Sequence, residues 1–315
     1  TVMNSVLIKR LGRFAQNMNI KGTGNGFYQT VMMSTSAEIT NKFKTLAISV
    51  PNPFVYHVEL NRPKKLNAMN NTMWLEIGEC FTELDTDPDC RVIVLSGAGK
   101  LFCAGLDFSD AAEMGSKLAE HDDVARKCKV LYNQVKKYQE SITSIEKCCK
   151  PVISAVHSAC VGGAVDLITA ADIRVCTNDA WFQVKEVDIG MAADVGTLQR
   201  LPRVIKSESL VRELAFTARK MMAPEAKESG LVSRLYEDKD SMIKGVIEMA
   251  TEIAARSPVA IQGTKKSIIY SRDHTVQEGL DNIAVWNMVM LQSEDFMNAT
   301  VAQATKSPPP TFSKL

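Results

Sequence analysis

Apolar positions along this chain follow two rhythms. Short runs rich in aliphatic and β-branched residues lie between turns that carry glycine or proline. Longer stretches place apolar residues three and four apart. The first rhythm predicts strands and the second amphipathic helices. Two β-type runs flank Pro51-Asn52-Pro53, so Leu46–Leu60 reads as a hairpin, ended by Asn61-Arg62-Pro63. Asn70 or Asn71 then caps a helix with Met73, Trp74, Ile77, Phe81 and Leu84 on one face. RVIVLS at 91–96 is a buried strand closed by Gly97-Ala98-Gly99, and Leu101–Phe108 holds a glycine turn. From Asp122 to Glu146, positions 124, 128, 131, 135, 138, 142 and 145 are apolar, which predicts a long amphipathic helix.

The pattern recurs after Lys150. A β-like run (Pro151–His157) leads to Gly162-Gly163, where a helix opens with Asp166 in its first turn. A second strand pair follows, then Glu186, and then Asp194 at the start of another helix. Beyond about Ser241 the rhythm is helical only, over Asp240–Arg256, Pro258–Tyr270 and Val276–Ala302, the last with Ile283, Trp286, Met290 and Met297. So apolar a helical tail needs a surface to cover, on its own core or on a neighbouring subunit. Repeated strand–turn–helix units without a long linker argue for one α/β core over 41–240, followed by a helical region over 241–305.

Composition narrows the class. Of 315 residues, 45% are apolar and 23% charged, as in a soluble globular enzyme. A net charge of +1 gives no reason to expect nucleic acid or an acidic membrane as partner. No run approaches the roughly 18–20 apolar residues of a membrane span. The eight cysteines lack paired CxxC spacing and read as buried thiols of a reducing compartment. The four histidines are scattered, so no metal site is expected. The ends read as addresses. Residues 1–40 form a leader that carries Lys9, Arg10, Arg13 and Lys21 with no acid before Glu38, the composition of a mitochondrial transit peptide. In the tail, 306–315, Ser313-Lys314-Leu315 matches the tripeptide read by the peroxisomal import receptor, expected to stand exposed beyond Pro308–Pro310. Together they predict dual targeting to mitochondrion and peroxisome.

Three acids and a glycine-rich turn within about forty mostly apolar residues suggest proton transfer. In Gly162-Gly163-Ala164-Val165-Asp166, glycine lets a ligand approach the backbone, and free N–H groups at the helix start point outward. Such donors stabilise an oxygen that gains charge, each worth ~3 kcal/mol in a transition state. Plainer readings exist for every position. The glycines suit a tight turn, Asp194 suits a helix N-cap, Glu186 a solvated strand end beside Lys185, and Asp166 a cap or buried structural partner.

The stretch from Lys150 to Pro202, KPVISAVHSACVGGAVDLITAADIRVCTNDAWFQVKEVDIGMAADVGTLQRLP, resembles the enoyl-CoA hydratase/isomerase (crotonase) superfamily. Its VKEVDIGMAADVGTLQRLP block is similar to the dienoyl-CoA isomerase branch, and the likeness extends over roughly 45–305. The resemblance implies a crotonase (ClpP/crotonase-like) α/β fold of repeated ββα units, whose C-terminal helices cover the site and build a homotrimer or hexamer. It implies an oxyanion hole from the N–H groups of Ala104 and Gly163. Ala104, Gly105, Leu106, Asp107, Phe108 and Gly163 would touch an acyl-CoA, with Asn61–Ala68 near the CoA. Glu186 matches a glutamate shared with hydratases, Asp166 stands at a hydratase's other catalytic glutamate, and Asp194 replaces a hydratase glycine. The glycine run departs slightly, reading Gly-Gly-Ala rather than three glycines.

The implied reaction is conversion of a 3,5-dienoyl-CoA to the 2,4-isomer in fatty-acid β-oxidation. Asp194 would serve C2, Glu186 would serve C6, and Asp166 would be a supporting, polarising carboxylate near the acyl chain. No metal or redox cofactor is implied, because CoA arrives within the substrate thioester. An enoyl-CoA hydratase or Δ3,Δ2-enoyl-CoA isomerase is the alternative on the same fold, and neither needs an acid at 194. A non-catalytic RNA-binding relative is the alternative of another class. It lacks support in a Lys/Arg face, since Lys136-Lys137 and Lys265-Lys266 read as solvated pairs.

Overall fold

The computed structural model describes residues 39–315, so all but the last two residues of the leader, with its transit-peptide reading, lie outside the described residues. The hairpin forms as expected. Strands β1 (Leu46–Asn52) and β2 (Val55–Leu60) pair antiparallel, with Phe54 in the left-handed region between them. Strands β3 (Val92–Gly97), β4 (Val152–Val156), β6 (Ile173–Thr177) and β9 (Arg234–Tyr236) then add in parallel, giving a six-stranded sheet ordered β1-β2-β3-β4-β6-β9. A smaller sheet, ordered β5-β7-β8, is built from Ala159–Val161, Trp181–Gln183 and Met221–Met222.

The two strands expected to pair after the central helix do not pair with each other. The first, β6, joins β4 through Val156↔Cys176. The second, β7, joins β5 through Ala159↔Trp181. Each ββα unit thus sends one strand to each sheet, because a parallel partner from the preceding unit already waits there. The first glycine turn joins the smaller sheet by a single bridge, Cys103↔Cys160.

Both faces of the large sheet are covered, which is why its strands are nearly continuous apolar runs. On one face Val55, Val92, Val94, Ile153 and Val175 pack with Met242, Val246 and Ala250 of a C-terminal helix, Lys239–Ala254. The opposite face packs on helices α1 (Asn71–Thr86), α3 (Val124–Lys147) and α4 (Gly163–Ala170), and a short helix, α2 (Ala111–Ala119), precedes α3 in the chain. Asn70 caps α1 by accepting the N–H of Met73 at 3.1 Å, and Asp123 caps α3 through Arg126. Three further helices were not read from the pattern before β9 or around it: α2, α6 (Glu208–Thr217) and α7 (Ala223–Ser229), while α5 (Thr197–Val204) follows Asp194.

The helical region is divided more finely than its periodicity suggests. After α8 (Lys239–Ala254) and α9 (Pro258–Ser271), the expected single helix is two, α10 (Val276–Met290) and α11 (Glu294–Thr305). Ser293 breaks it by accepting the N–H of Phe296, and Glu294 and Asp295 favour a new N-terminus. The Lys265-Lys266 pair is not solvated as read. Lys265 is buried, with Nζ 2.7 Å from Asp172 Oδ2 and 3.0 Å from the Lys150 carbonyl, and so pins α9 to the core. The tail is not free either. Arg91 donates to the carbonyls of Phe312 (2.6 Å) and Ser313 (3.2 Å), and Lys314 pairs with Asp89, while Leu315 is exposed. No described helix is long and apolar enough to cross a membrane.

Candidate active site

The two glycine turns meet at a cavity of about 300 Å³. Tyr138, Val135 and Leu131 of α3 form one wall, and Trp74 of α1 stacks on Tyr138 with ring centroids 4.7 Å apart. Glu186, Ile189, Met191 and Asp194 also line it. The amphipathic stripe of α3 therefore has two duties. Its C-terminal part, Ile142 and Ile145, is core, and its middle lines the cavity.

Buried Asn67 organises the first turn. Its Nδ2 donates to the carbonyls of Ala98 (2.7 Å), Leu101 (3.0 Å) and Phe102 (3.1 Å), while its Oδ1 accepts the N–H of Arg62 at 2.9 Å. That stitches Asn61–Ala68 to the segment entering Cys103–Phe108. Gly105 sits at φ +93°, and an added Cβ would stand 2.9 Å from the carbonyl oxygen of Val161. Glycine is needed here for both conformation and close approach.

This packing corrects one expected donor. The N–H of Ala104 is spent on the Leu66 carbonyl at 3.0 Å, so Ala104 cannot offer it to a ligand. Two residues on, Leu106 lines the same cavity, and its N–H has no acceptor among the described residues. Its neighbours explain why. Gly105 O accepts from Met69 N and Asp107 N donates to Met69 O, turning the intervening N–H away from that ladder. Matching by position places Leu106 among the ligand contacts but gives the donor role to Ala104, because only the hydrogen-bond pattern separates the two. Gly163, the first residue of α4, has an N–H with no place in the helical ladder. Gly162 at φ +55° turns the chain into that helix, and its own N–H goes to the Gln183 carbonyl at 2.9 Å. Leu106 and Gly163 thus each bring to the cavity, one from each glycine turn, a main-chain N–H with no acceptor among the described residues.

Of the residues expected to contact a ligand, Ala104, Gly105, Leu106, Phe108 and Gly163 line the cavity. Asp107 does not. Its carboxylate is tied to Arg62 at 2.8 Å and to Ser109, and those bonds hold it below the ordinary carboxylate range.

The three acids occupy two tiers. Glu186 begins a short 3-10 turn (Glu186–Ile189), with its Oε1 3.4 Å from where a Cβ on Gly162 would lie and its Oε2 buried without a hydrogen-bond partner. Burial raises its pKa, and the nearby charge of Asp194 adds to the rise. Asp194 is half-buried and likewise raised by burial, partly offset by its own N–H. It is not the helix cap its position suggests. Helix α5 starts at Thr197 with Gly196 as N-cap, and Asp194 lies upstream of both.

Asp166 stands behind this pair and does not reach the cavity. Wholly buried, its Oδ1 accepts the N–H of Thr197, while Oδ2 has no partner. Burial, opposed by Thr197 and reinforced by the charge of Glu186, raises its pKa to about 7. The cavity therefore presents two carboxyls of raised pKa on one side and two free N–H donors at the meeting of the turns. Such a site can take a proton from one carbon, return it to another, and hold the oxygen that carries charge meanwhile.

The chain is similar to known proteins over most of its length. Residues 52–297 match the family model described as enoyl-CoA hydratase/isomerase. A Rattus norvegicus protein named "Delta(3,5)-Delta(2,4)-dienoyl-CoA isomerase, mitochondrial" is 49% identical, over 99% of this chain and 98% of its own length. An Arabidopsis thaliana protein of the same name, but peroxisomal, is 44% identical over 87% of this chain and 98% of its own. Among solved structures, an enoyl-CoA hydratase from Bacillus anthracis superposes with a TM-score of 0.76 at 26% identity, covering 85% of this chain and 98% of that one.

Proposed function

The chain belongs to the enoyl-CoA hydratase/isomerase family, and we propose that it converts 3,5-dienoyl-CoA to 2,4-dienoyl-CoA in the β-oxidation of unsaturated fatty acids. The observation that carries this reading is that Asp194 and Glu186 line one cavity, both of raised pKa, with an acid at 194 where the family resemblance implies glycine in a hydratase. Relatives bearing the isomerase name at 44–49% identity support the same reading.

The steps follow from the chemistry. An ionised carboxylate removes a proton from C2, and the electron pair moves into a C1–C2 double bond, placing charge on the thioester oxygen. The N–H groups of Leu106 and Gly163 receive that charge. The electrons then return through the chain, forming C2=C3 and C4=C5, as C6 takes a proton from a neutral carboxyl. We assign Asp194 to C2 and Glu186 to C6. Buried and like-charged neighbours favour one ionised and one neutral partner, the state this sequence requires, and they titrate as a set. Asp166 polarises them from behind, through the charge it shares with Glu186.

Atoms and electrons balance within the substrate, so the reaction calls for no redox partner, and CoA arrives as the thioester. The exposed Lys64 and Lys65, on the turn Asn67 fixes, are suited to its phosphates. A homotrimer or hexamer accounts for the apolar surface of α10, where Val276, Leu280, Val285, Met288 and Val289 are exposed. Mitochondrial and peroxisomal relatives support residence in either or both compartments, with Ser313-Lys314-Leu315 as the signal for the import receptor.

The test is an absorbance assay with a 3,5-dienoyl-CoA beside a 2-enoyl-CoA. Growth of the 2,4-dienoyl-thioester band with little hydration is expected. Rapid hydration with no diene shift would make the protein a hydratase.

A further inference from the structure

The carboxylate of Asp194 needs a fixed aim, yet no side chain of the described residues donates to it. Its aim is set by its main chain. That main chain is held at one point directly: Gln139 Nε2 donates to the Asp194 carbonyl at 2.7 Å. Gln139 follows Tyr138 on α3, the helix whose neighbouring residues Leu131, Val135 and Tyr138 wall the cavity. One side of the helix thus faces the acyl chain while the next residue grips the backbone of the acid.

Two further anchors fix the segment downstream. Asp166 accepts the N–H of Thr197. Arg200 reaches back to α3, bonding Glu146 Oε2 and Thr143 Oγ1, both at 3.0 Å. Its guanidinium passes over Gly196, where any Cβ would collide with it, and the φ of +138° there is a second reason for glycine. These anchors lie on the far side of Gly196 from Asp194. Upstream of that glycine, Ala193 and Val195 are packed into the core on either side of Asp194, and Gln139 supplies the side-chain hydrogen bond to the main chain of the acid itself.

We propose that Gln139 is a positioning residue for proton transfer, fixing Asp194 against the reacting carbon and coupling it to the α3 wall of the acyl pocket. The inference rests on the isomerase reading above. It acts on the chemical step rather than on binding, since Gln139 itself does not line the cavity.

Three variants test it in the full-length protein: Gln139→Met, which roughly keeps volume and loses the donor; Gln139→Glu, which keeps a polar chain of the same length but presents an acceptor at neutral pH; and Asp194→Asn. The readouts are kcat and KM on a 3,5-dienoyl-CoA, with thermal midpoint as the check on folding. Gln139→Met and Gln139→Glu are expected to lose about 10–100-fold in kcat, the effect of a misplacement near 1 Å. KM is expected to stay within about twofold, because ground-state binding is untouched. Wild-type kcat in either folded variant, with Asp194→Asn inactive, would overturn the positioning role and leave the isomerase reading standing. An active Asp194→Asn would overturn both.

Discussion

Asp166 accepts the main-chain N–H of Thr197, 31 residues along the chain, and so closes the N-terminus of a helix to which it does not belong. The acid is wholly buried and its pKa is raised to about 7, chiefly by burial. A carboxyl whose folded pKa exceeds its unfolded value favours the fold when protonated. That contribution is full below about pH 4 and is lost as pH rises towards 7. Asp166→Asn keeps an acceptor for Thr197 and removes the ionisation. The variant is expected to be more stable than wild type at pH 8, by up to about 4 kcal/mol, with the gap closing as pH falls to 5. Thermal midpoints across that range check it. A gap that stays constant with pH would show that Asp166 is not titrating there.

Glu186 and Asp194 both carry pKa values raised by burial, and each is given an opposite protonation state at the start of turnover. Asp194→Asn is expected to bring isomerisation near background, and Glu186→Gln to lower it by about 10²–10⁴-fold, the usual worth of a positioned acid or base. The wild-type kcat profile should be bell-shaped. Its acid limb reports the base, lost on protonation as pH falls, and its alkaline limb the acid, lost on ionisation as pH rises. With Glu186 as the acid, Glu186→Gln removes the alkaline limb from the residual rate. Survival of that limb would exchange the two roles.

Period-two and helical patterns located the hairpin, α1, α3, β3 and β4, because each buries a continuous face whose spacing is written in the chain. They failed where hydrogen bonds decide. Strands β6 and β7 look like a pair until the partners left open by β4 and β5 are known. Ser293 looks like one more residue of an apolar helix until it caps the next. The candidate site divides the same way. Glu186 and Asp194 could be singled out as acids in apolar sequence, and both line the cavity. No local signal tells that Ala104 gives its N–H to Leu66 while Leu106 keeps its own, or that Asp166 stops short of the cavity. Those depend on residues some 30 or more positions away.

The close fit between the two glycine turns predicts a steep cost at Gly105. A methyl group there meets the Val161 carbonyl oxygen at 2.9 Å and sits at φ +93°, so the backbone must move. Leu106 follows immediately, and its N–H moves with it. Gly105→Ala is expected to lose about 10²–10³-fold in kcat, as on removal of one oxyanion donor. The fold should survive, since the turn lies at the cavity rather than in the core between sheet and helices. Steady-state kinetics with circular dichroism check both halves. Normal kcat would show that Leu106 is not a donor.

Buried Lys265 pairs with Asp172, whose side chain keeps part of its surface in solvent, and so joins α9 to the residue that precedes β6, with Nζ–Oδ2 at 2.7 Å. The aspartate also accepts the N–H of Val152 at 2.7 Å and feels the charge of Arg174, so removing the lysine takes away its directly bonded counter-charge but not its last donor. Burial already pushes the Asp172 pKa up, with Lys265 opposing that rise. Lys265→Met should therefore cost about 1–3 kcal/mol, the worth of a charged hydrogen bond whose remaining partner still reaches water. The loss should be larger at pH 8 than at pH 5, because a carboxyl with a further raised pKa gives up its stability as pH rises. Adding Asp172→Asn to Lys265→Met removes the unpaired charge while keeping an acceptor for Val152, and should recover much of the loss. Denaturant unfolding of the wild type, both single variants and the double variant measures the coupling. If the single effects simply add, the pair contributes no interaction energy, and apolar packing alone holds α9 against the core.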